Sequence, residues 1–219
     1  MDRKIIFTNG DSLDCGTIFC VASNYSLHAK EMGTPVPAEP SIFIKPPQAL
    51  IHNGDTVVLP EQSSNVHHEV ELVVCIGKDC GNINAANASD YIAGYAIGID
   101  VTMRDVQSKA KTEGKPWAVA KGFRTSAPVS DFVPSDQFDG TVPDFGLSLY
   151  VNGELKQNGN TSDMERSVIT LVEYLSKVFS LRRGDLIFTG TPEGVGKIVS
   201  GDVLVARLSD LVELNVKAE

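Results

Sequence analysis

The sequence predicts a mainly β chain with a few helices, an α+β fold, on three observations. Short runs of β-branched and apolar residues recur along its length, turn signals separate them, and one long stretch repeats its apolar residues at helical spacing. Taken in order, strands are expected over 18–22, 41–44, 56–59, 69–76, 95–101, 147–151, 185–189 and 203–208. Asn53-Gly54-Asp55, Arg183-Gly184-Asp185 and Ser200-Gly201-Asp202 punctuate them, and Asn152-Gly153 between LSLYV and ELKQ predicts a hairpin. In SDMERSVITLVEYLSKVF, Met164, Val168, Leu171, Val172, Leu175, Val178 and Phe179 fall on one helical face, and Ser162 with Glu165 three later forms a capping box. Weaker helical patterns cover 25–32, 85–92 and 103–111. The segment 129–144, rich in Pro, Asp and Ser, reads as a surface excursion, because the strands after it need partners from before it. One domain spanning 1–219 is therefore expected.

Composition narrows the function. The 219 residues are 42% hydrophobic and 21% charged, with a formal net charge of -9 and no cluster of Lys and Arg. Nucleic-acid and anionic-membrane surfaces rely on basic patches, so neither partner is expected. Anionic small substrates stay open, since a bound metal reverses the local field. MDRKIIFTNGDSLDCG has neither the apolar core of a secretory signal nor the arginines of a transit peptide, and no run of 18 apolar residues follows; a soluble, cytoplasmic protein is expected. Cys15 and Cys20, like Cys75 and Cys80, have four residues between them, a spacing that a zinc site tolerates. Ordinary buried thiols are the better reading, because Cys75 lies inside an apolar strand.

Three stretches carry candidate chemistry. In HHEVELVVCIG, Glu69 and Glu71 are one strand period apart and leave the same face. Two such carboxylates repel unless a cation lies between them, and Mg2+ or Mn2+ takes oxygen ligands. An exposed strand face is the plainer reading of the pair alone; Asp100, ending the apolar strand of YAIGID, supplies a third carboxylate and favours a catalytic metal with open positions. His67 and His68 read as support or surface, imidazole being a secondary choice for a hard ion. In SNYSLHAKEMG, His28 and Glu31 are three apart on one face of a short helix, either an ordinary surface pair or a general-base dyad. In KPWAVAKGF, Lys121 is either solvated or a point charge for a substrate carboxylate. GTPEGVGK fails as a phosphate loop: five residues separate Gly190 from Gly196, and Ile198 follows Lys197. Its glycines suit tight turns and close backbone approach to a ligand. No GxSxG elbow is present.

Together SNYSLHAKEMG, IFIKPPQALI, HHEVELVVCIG, GIDVTMRDVQ, KPWAVAKGF, VNGELKQNGNTSDM and GDLIFTGTPEGVG, in that order, make the chain resemble the short, single-domain branch of the fumarylacetoacetate hydrolase family. The resemblance implies a mixed β-sandwich roll with flanking helices, a homodimer, and Mg2+ or Mn2+ on Glu69, Glu71 and Asp100. It places His28 and Glu31 on a mobile lid as the water-activating dyad, with Lys121 as a third catalytic group. Arg104, Gln107 and Thr191 would face a small anionic oxo acid. The implied reaction is metal-dependent cleavage of a carbon–carbon bond in acylpyruvates such as fumarylpyruvate or acetylpyruvate. The alternative is keto–enol tautomerisation or decarboxylation of oxaloacetate at the same site; a non-catalytic oxo-acid-binding protein is disfavoured because binding needs no base. Two positions depart from the family pattern: Ser23 stands where many members have Arg, and Arg124 follows KGF where a smaller or acidic residue is common.

Overall fold

Apolar runs of period two become two large sheets packed face to face, beside three smaller ones of two or three strands, in the computed structural model, which describes residues 3–33 and 35–219. Val70–Ile76 is buried along its whole length and pairs antiparallel with Ile92–Ile99 on one side and Leu186–Phe188 on the other. Ile18–Ala22 lies parallel to Leu186–Phe188, and Ser41–Lys45 and Val133–Pro134 form the two edges of this six-stranded sheet. The second sheet has five strands in the order Glu154–Asn160, Gly146–Val151, Val203–Leu208, Val212–Ala218 and Thr56–Val57, antiparallel except for the last pair.

Alternation decides which side chains meet. Leu72, Val74 and Ile76, with Ile97 and Ile99 of the neighbouring strand, face Leu147, Leu149, Leu204, Ala206, Leu214 and Val216 of the second sheet across the main core. The other face of the same two strands carries Val73, Cys75 and Ala96, which pack with Ile5, Phe132 and Phe188 in a smaller core. By the period of two, Glu69 and Glu71 share the face of Val73 and Cys75, and Asp100 shares the face of Ala96. The carboxylates therefore stand at one end of the smaller core.

Four α-helices flank the sheets: α1 (Ser26–Glu31), α2 (Arg104–Thr112), α3 (Ala118–Lys121) and α4 (Val168–Phe179). In α4, Val168, Leu171, Val172 and Leu175 are buried at i, i+3, i+4 and i+7 spacing, whereas Val178 and Phe179 at its end are 54% and 41% exposed. The Asn152-Gly153 hairpin forms, with both residues at positive φ as a type I′ turn requires. Among the described residues, no helix is long and apolar enough to cross a membrane.

Several expectations are corrected. The capping box at Ser162 does not form: α4 starts at Val168, and its cap is Ser167, whose side chain accepts from the Thr170 N–H. The reason is tertiary, since Asn24 takes the Glu165 and Arg166 N–H groups on its carbonyl and side-chain oxygens. The stretch at 85–92 is a 3₁₀ helix, Ala85–Tyr91, followed directly by a strand. The segment 129–144 is not all surface, because Val129, Phe132 and Val133 are buried and Val133–Pro134 pairs into the large sheet. Lys4–Ile6, Ser12–Asp14, Val66–His68 and Val212–Ala218 are strands that the pattern reading missed.

Candidate active site

Strand register brings the three carboxylates together. Glu71 lies opposite Gly98, and Asp100 follows the end of the Ile92–Ile99 strand, with its N–H donating to the Glu69 carbonyl at 2.8 Å. Glu69 sits between the strands Val66–His68 and Val70–Ile76 rather than inside one. One carboxylate oxygen from each of the three lies within 4.8 Å of the others, and all three side chains are buried. No other group of His, Cys, Asp and Glu among the described residues is arranged to hold a metal, so the cysteines form no such cluster.

Cations surround this set. Lys121, at the end of α3, donates to Glu69 Oε2 at 2.7 Å, Asp100 Oδ2 at 2.6 Å and Thr102 Oγ1 at 2.6 Å. Arg104, opening α2, pairs with Glu69 Oε1 through Nη2 and donates from Nη1 to Gln107 Oε1 at 2.6 Å. Lys45 is fully buried at the end of an edge strand, where its ammonium lies 2.8 Å from Asp100 Oδ1. Its hydrogen bonds go to Ser126 Oγ and to the carbonyl oxygens of Ser126, Val101 and Lys121, so Asp100 Oδ1 takes no hydrogen bond from any described residue.

The environment splits the two glutamates. Burial opposes ionisation of Glu69, but Lys121 and Arg104 outweigh it and hold its carboxyl well below the usual range. Burial, then Asp100 and Glu69, pushes Glu71 well above that range, against the Gly190 N–H that donates to its Oε2 at 2.7 Å. Gly190 makes that approach with φ +101, where a Cβ would come within 2.8 Å of Asn24 Cβ. Burial lowers the Lys121 pKa, yet Asp100 and Glu69 raise it more, and it is a firm cation. A buried set of oxygen donors, with one carboxyl pushed above its usual range by burial and by its two carboxylate neighbours, fits a hard divalent ion.

The remaining candidates converge on the same pocket. His28, Arg104, Gln107, Lys121 and Thr191 line it with the three carboxylates. His28 Nδ1 is 3.2 Å from Glu31 Oε2 across one turn of α1. Glu31 also accepts the Gly194 N–H at 3.2 and 3.3 Å, which ties the helix to the TPEGVG turn. Of the expected lid, residues 25–37, Thr34 lies outside the described residues. Ser23 lines the pocket, while Arg124 is exposed and does not. His68 is buried and hydrogen-bonded to Gln157, so it is support; His67 is half-buried, and burial followed by Arg104 pushes its pKa down to about 4.

Sequence reasoning missed Lys45 and Gln157. Lys45 ends a strand before two prolines and looks like any solvated strand terminus; only Asp100, 55 positions on, gives it meaning.

The family model described as Fumarylacetoacetate (FAA) hydrolase C-terminal matches residues 17–218. Oxaloacetate tautomerase YcgM of Escherichia coli (strain K12) is 46% identical over 187 residues, 85% of each chain. Mitochondrial oxaloacetate tautomerase FAHD1 of Homo sapiens is 43% identical, covering 92% of this chain and 91% of that one. Among solved structures, the fumarylpyruvate hydrolase of Pseudomonas aeruginosa in complex with Mn2+ and pyruvate superposes with a TM-score of 0.94 at 37% identity, over 98% of this chain and 94% of that one.

Proposed function

The chain belongs to the fumarylacetoacetate hydrolase family, and on that premise we propose that it is a divalent-metal-dependent enzyme that hydrolyses the carbon–carbon bond of acylpyruvate-type β-diketo acids, giving pyruvate and a carboxylic acid. The observation that carries the reading is a single pocket lined by the buried carboxylates Glu69, Glu71 and Asp100 and by His28, whose Nδ1 is paired with Glu31 behind it. Bound on the three carboxylates, Mg2+ or Mn2+ supplies Lewis-acid stabilisation of the charge that develops on an oxo acid's oxygens.

The chain's own residues do the rest. Glu31 Oε2 accepts a hydrogen bond from the His28 Nδ1–H, which leaves Nε2 as the base that takes a proton from water. That water attacks the distal acyl carbonyl, the carbon–carbon bond breaks with its electron pair moving onto the oxo acid as an enolate, and the proton taken up by His28 returns to the enolate carbon to give pyruvate. Arg104 occupies Gln107 Oε1, so the Gln107 NH₂ is left to donate to substrate. Charge favours an anion. Three carboxylates stand against Lys45, Lys121 and Arg104, Lys111 adds a further cation at the pocket wall, and a divalent ion would add two more positive charges.

Tautomerisation of oxaloacetate is the second reading, favoured by the names of the two tautomerase relatives and needing only proton transfer at the same enolate. Decarboxylation of oxaloacetate would use that enolate too. A single catalytic domain over 1–219, a homodimer and a cytoplasmic location belong to the same proposal. The test is to incubate the purified protein with Mg2+ or Mn2+ and follow acetylpyruvate, fumarylpyruvate and oxaloacetate in the ultraviolet. Metal-dependent loss of the acylpyruvates is expected. Turnover of oxaloacetate alone would select the second reading, and no metal-dependent turnover of any of them would overturn both.

A further inference from the structure

Glu154–Asn160 is an edge strand with its polarity inverted. Gln157 is its one buried residue, at 1% exposure, while Leu155 is 48% exposed. A bulge causes the inversion: the register shifts between Leu149 and Tyr150, so Gln157 pairs with inward Leu149 and Leu155 with Tyr150 on the outer side. A buried amide costs free energy unless its hydrogen bonds are made, and Gln157 makes four. Oε1 accepts from the Val70 N–H at 3.0 Å and from His68 Nδ1 at 2.9 Å. Nε2 donates to the Pro192 carbonyl at 2.9 Å and to Thr191 Oγ1 at 2.8 Å.

These partners fix which way the amide faces. Val70 N–H only donates and Pro192 C=O only accepts, so the oxygen and nitrogen cannot be exchanged. The second Nε2 proton then goes to Thr191, whose hydroxyl must accept it. The Thr191 proton finds no acceptor among the described residues, and Thr191 lines the pocket beside His28, Glu71 and Lys121.

We propose that Gln157 is a positioning residue that locks Thr191 as a hydrogen-bond donor to the substrate carboxylate, a role that rests on the oxo-acid reading above. Without the amide, nothing occupies the hydroxyl's lone pairs, and it is free to rotate and turn them toward the anion. The same side chain holds the backbone at Val70, between Glu69 and Glu71, so carboxylate binding and the metal carboxylates share one anchor.

The test uses Mn2+-loaded protein with oxalate as the probe in calorimetry, and KM and kcat for whichever oxo acid the wild type turns over. Gln157→Glu keeps the acceptors for Val70 and His68 and removes the donors to Thr191 and to the Pro192 carbonyl; Gln157→Met removes all four bonds without adding charge. Thr191→Val removes the hydroxyl and leaves the amide. Each variant should weaken oxalate and raise KM by about 10- to 100-fold, the scale of one hydrogen bond to a charged group, with kcat much less affected. In the Thr191→Val background, the Gln157 substitutions should add little. Unchanged oxalate affinity in Thr191→Val, or a Gln157 effect that persists in full when Thr191 is Val, would overturn the positioning role. A wild-type protein that binds Mn2+ but no oxalate would overturn the oxo-acid reading itself, a different result from variants that bind oxalate as well as the wild type does.

Discussion

The two ends of the strand Val70–Ile76 are held in opposite ways. At Val73 and Cys75 the side chains are buried in the smaller apolar core, and stability comes from area removed from water, about 25 cal/mol per Å². At Glu69 and Glu71 the same face continues into Asp100, Lys45, Lys121 and Arg104, where each charge is tolerable only because another lies beside it. The apolar end tolerates small errors one residue at a time. The charged end is a single balanced unit, and removing one member leaves another charge uncompensated. That contrast explains why the chemistry sits at one end and not along the sheet: the apolar end supplies rigidity, and the charged end is fixed in place by it.

The largest expected difference is in rate. His28→Ala should lower acylpyruvate hydrolysis by about 10²–10⁴-fold, the usual contribution of a positioned general base, a loss measured at a temperature where the variant is fully folded, because His28 is also buried. A hydrolysis rate equal to wild type would remove the water-activating role from His28 and Glu31. Lys45→Met breaks a buried pair and should cost about 3–5 kcal/mol in urea unfolding of the metal-free protein. Added Mn2+ should recover part of that loss by neutralising Asp100; a loss that Mn2+ leaves untouched would mean that Lys45 acts only by packing. Ile76→Ala, at the apolar end, should cost about 2–5 kcal/mol by cavity formation, with Mn2+ affinity unchanged, so a fall in Mn2+ affinity would show the two ends to be coupled.

The smallest effect is in pH. The folded pKa of Glu71 is raised, so above the ordinary carboxylate value of about 4.3 the folded state keeps a proton that the unfolded chain has lost. In metal-free protein, stability should then fall as pH rises through that window, by at most about 1.4 kcal/mol per pH unit. Glu69 is lowered instead; its contribution is full above the same value and is lost only on acidification, so it does not mask the Glu71 slope. Glu71→Gln should flatten the slope, and a slope equal to wild type would place the titrating group elsewhere.

Much of this was legible in the sequence, and the exceptions have physical reasons. The period of two put Glu69 and Glu71 on one face, and the i, i+3 spacing put His28 beside Glu31, because both relations are local. Lys45 was not legible, since its partners Asp100 and Ser126 are brought to it by sheet order alone. Gln157 was hidden by a bulge that reverses the parity from which its face would be read. The cap of α4 was misplaced because Asn24, 142 positions before Arg166, uses the backbone that a local cap would have satisfied. Composition misread 129–144: its prolines and aspartates are real turn signals, but Phe132 between them is fully buried. Val212–Ala218 is a plain miss, because Leu214, Val216 and Ala218 alternate as a half-buried strand should.

The central claim is that Glu69, Glu71 and Asp100 hold one divalent ion. The most direct measurement is a calorimetric titration of Mn2+ into metal-free wild type and into Glu71→Ala. One ion per chain is expected for the wild type, with affinity falling by more than about a hundredfold in the variant, since outer-shell partners alone are worth 10–100-fold. Unchanged Mn2+ affinity in a folded Glu71→Ala protein would contradict the assignment.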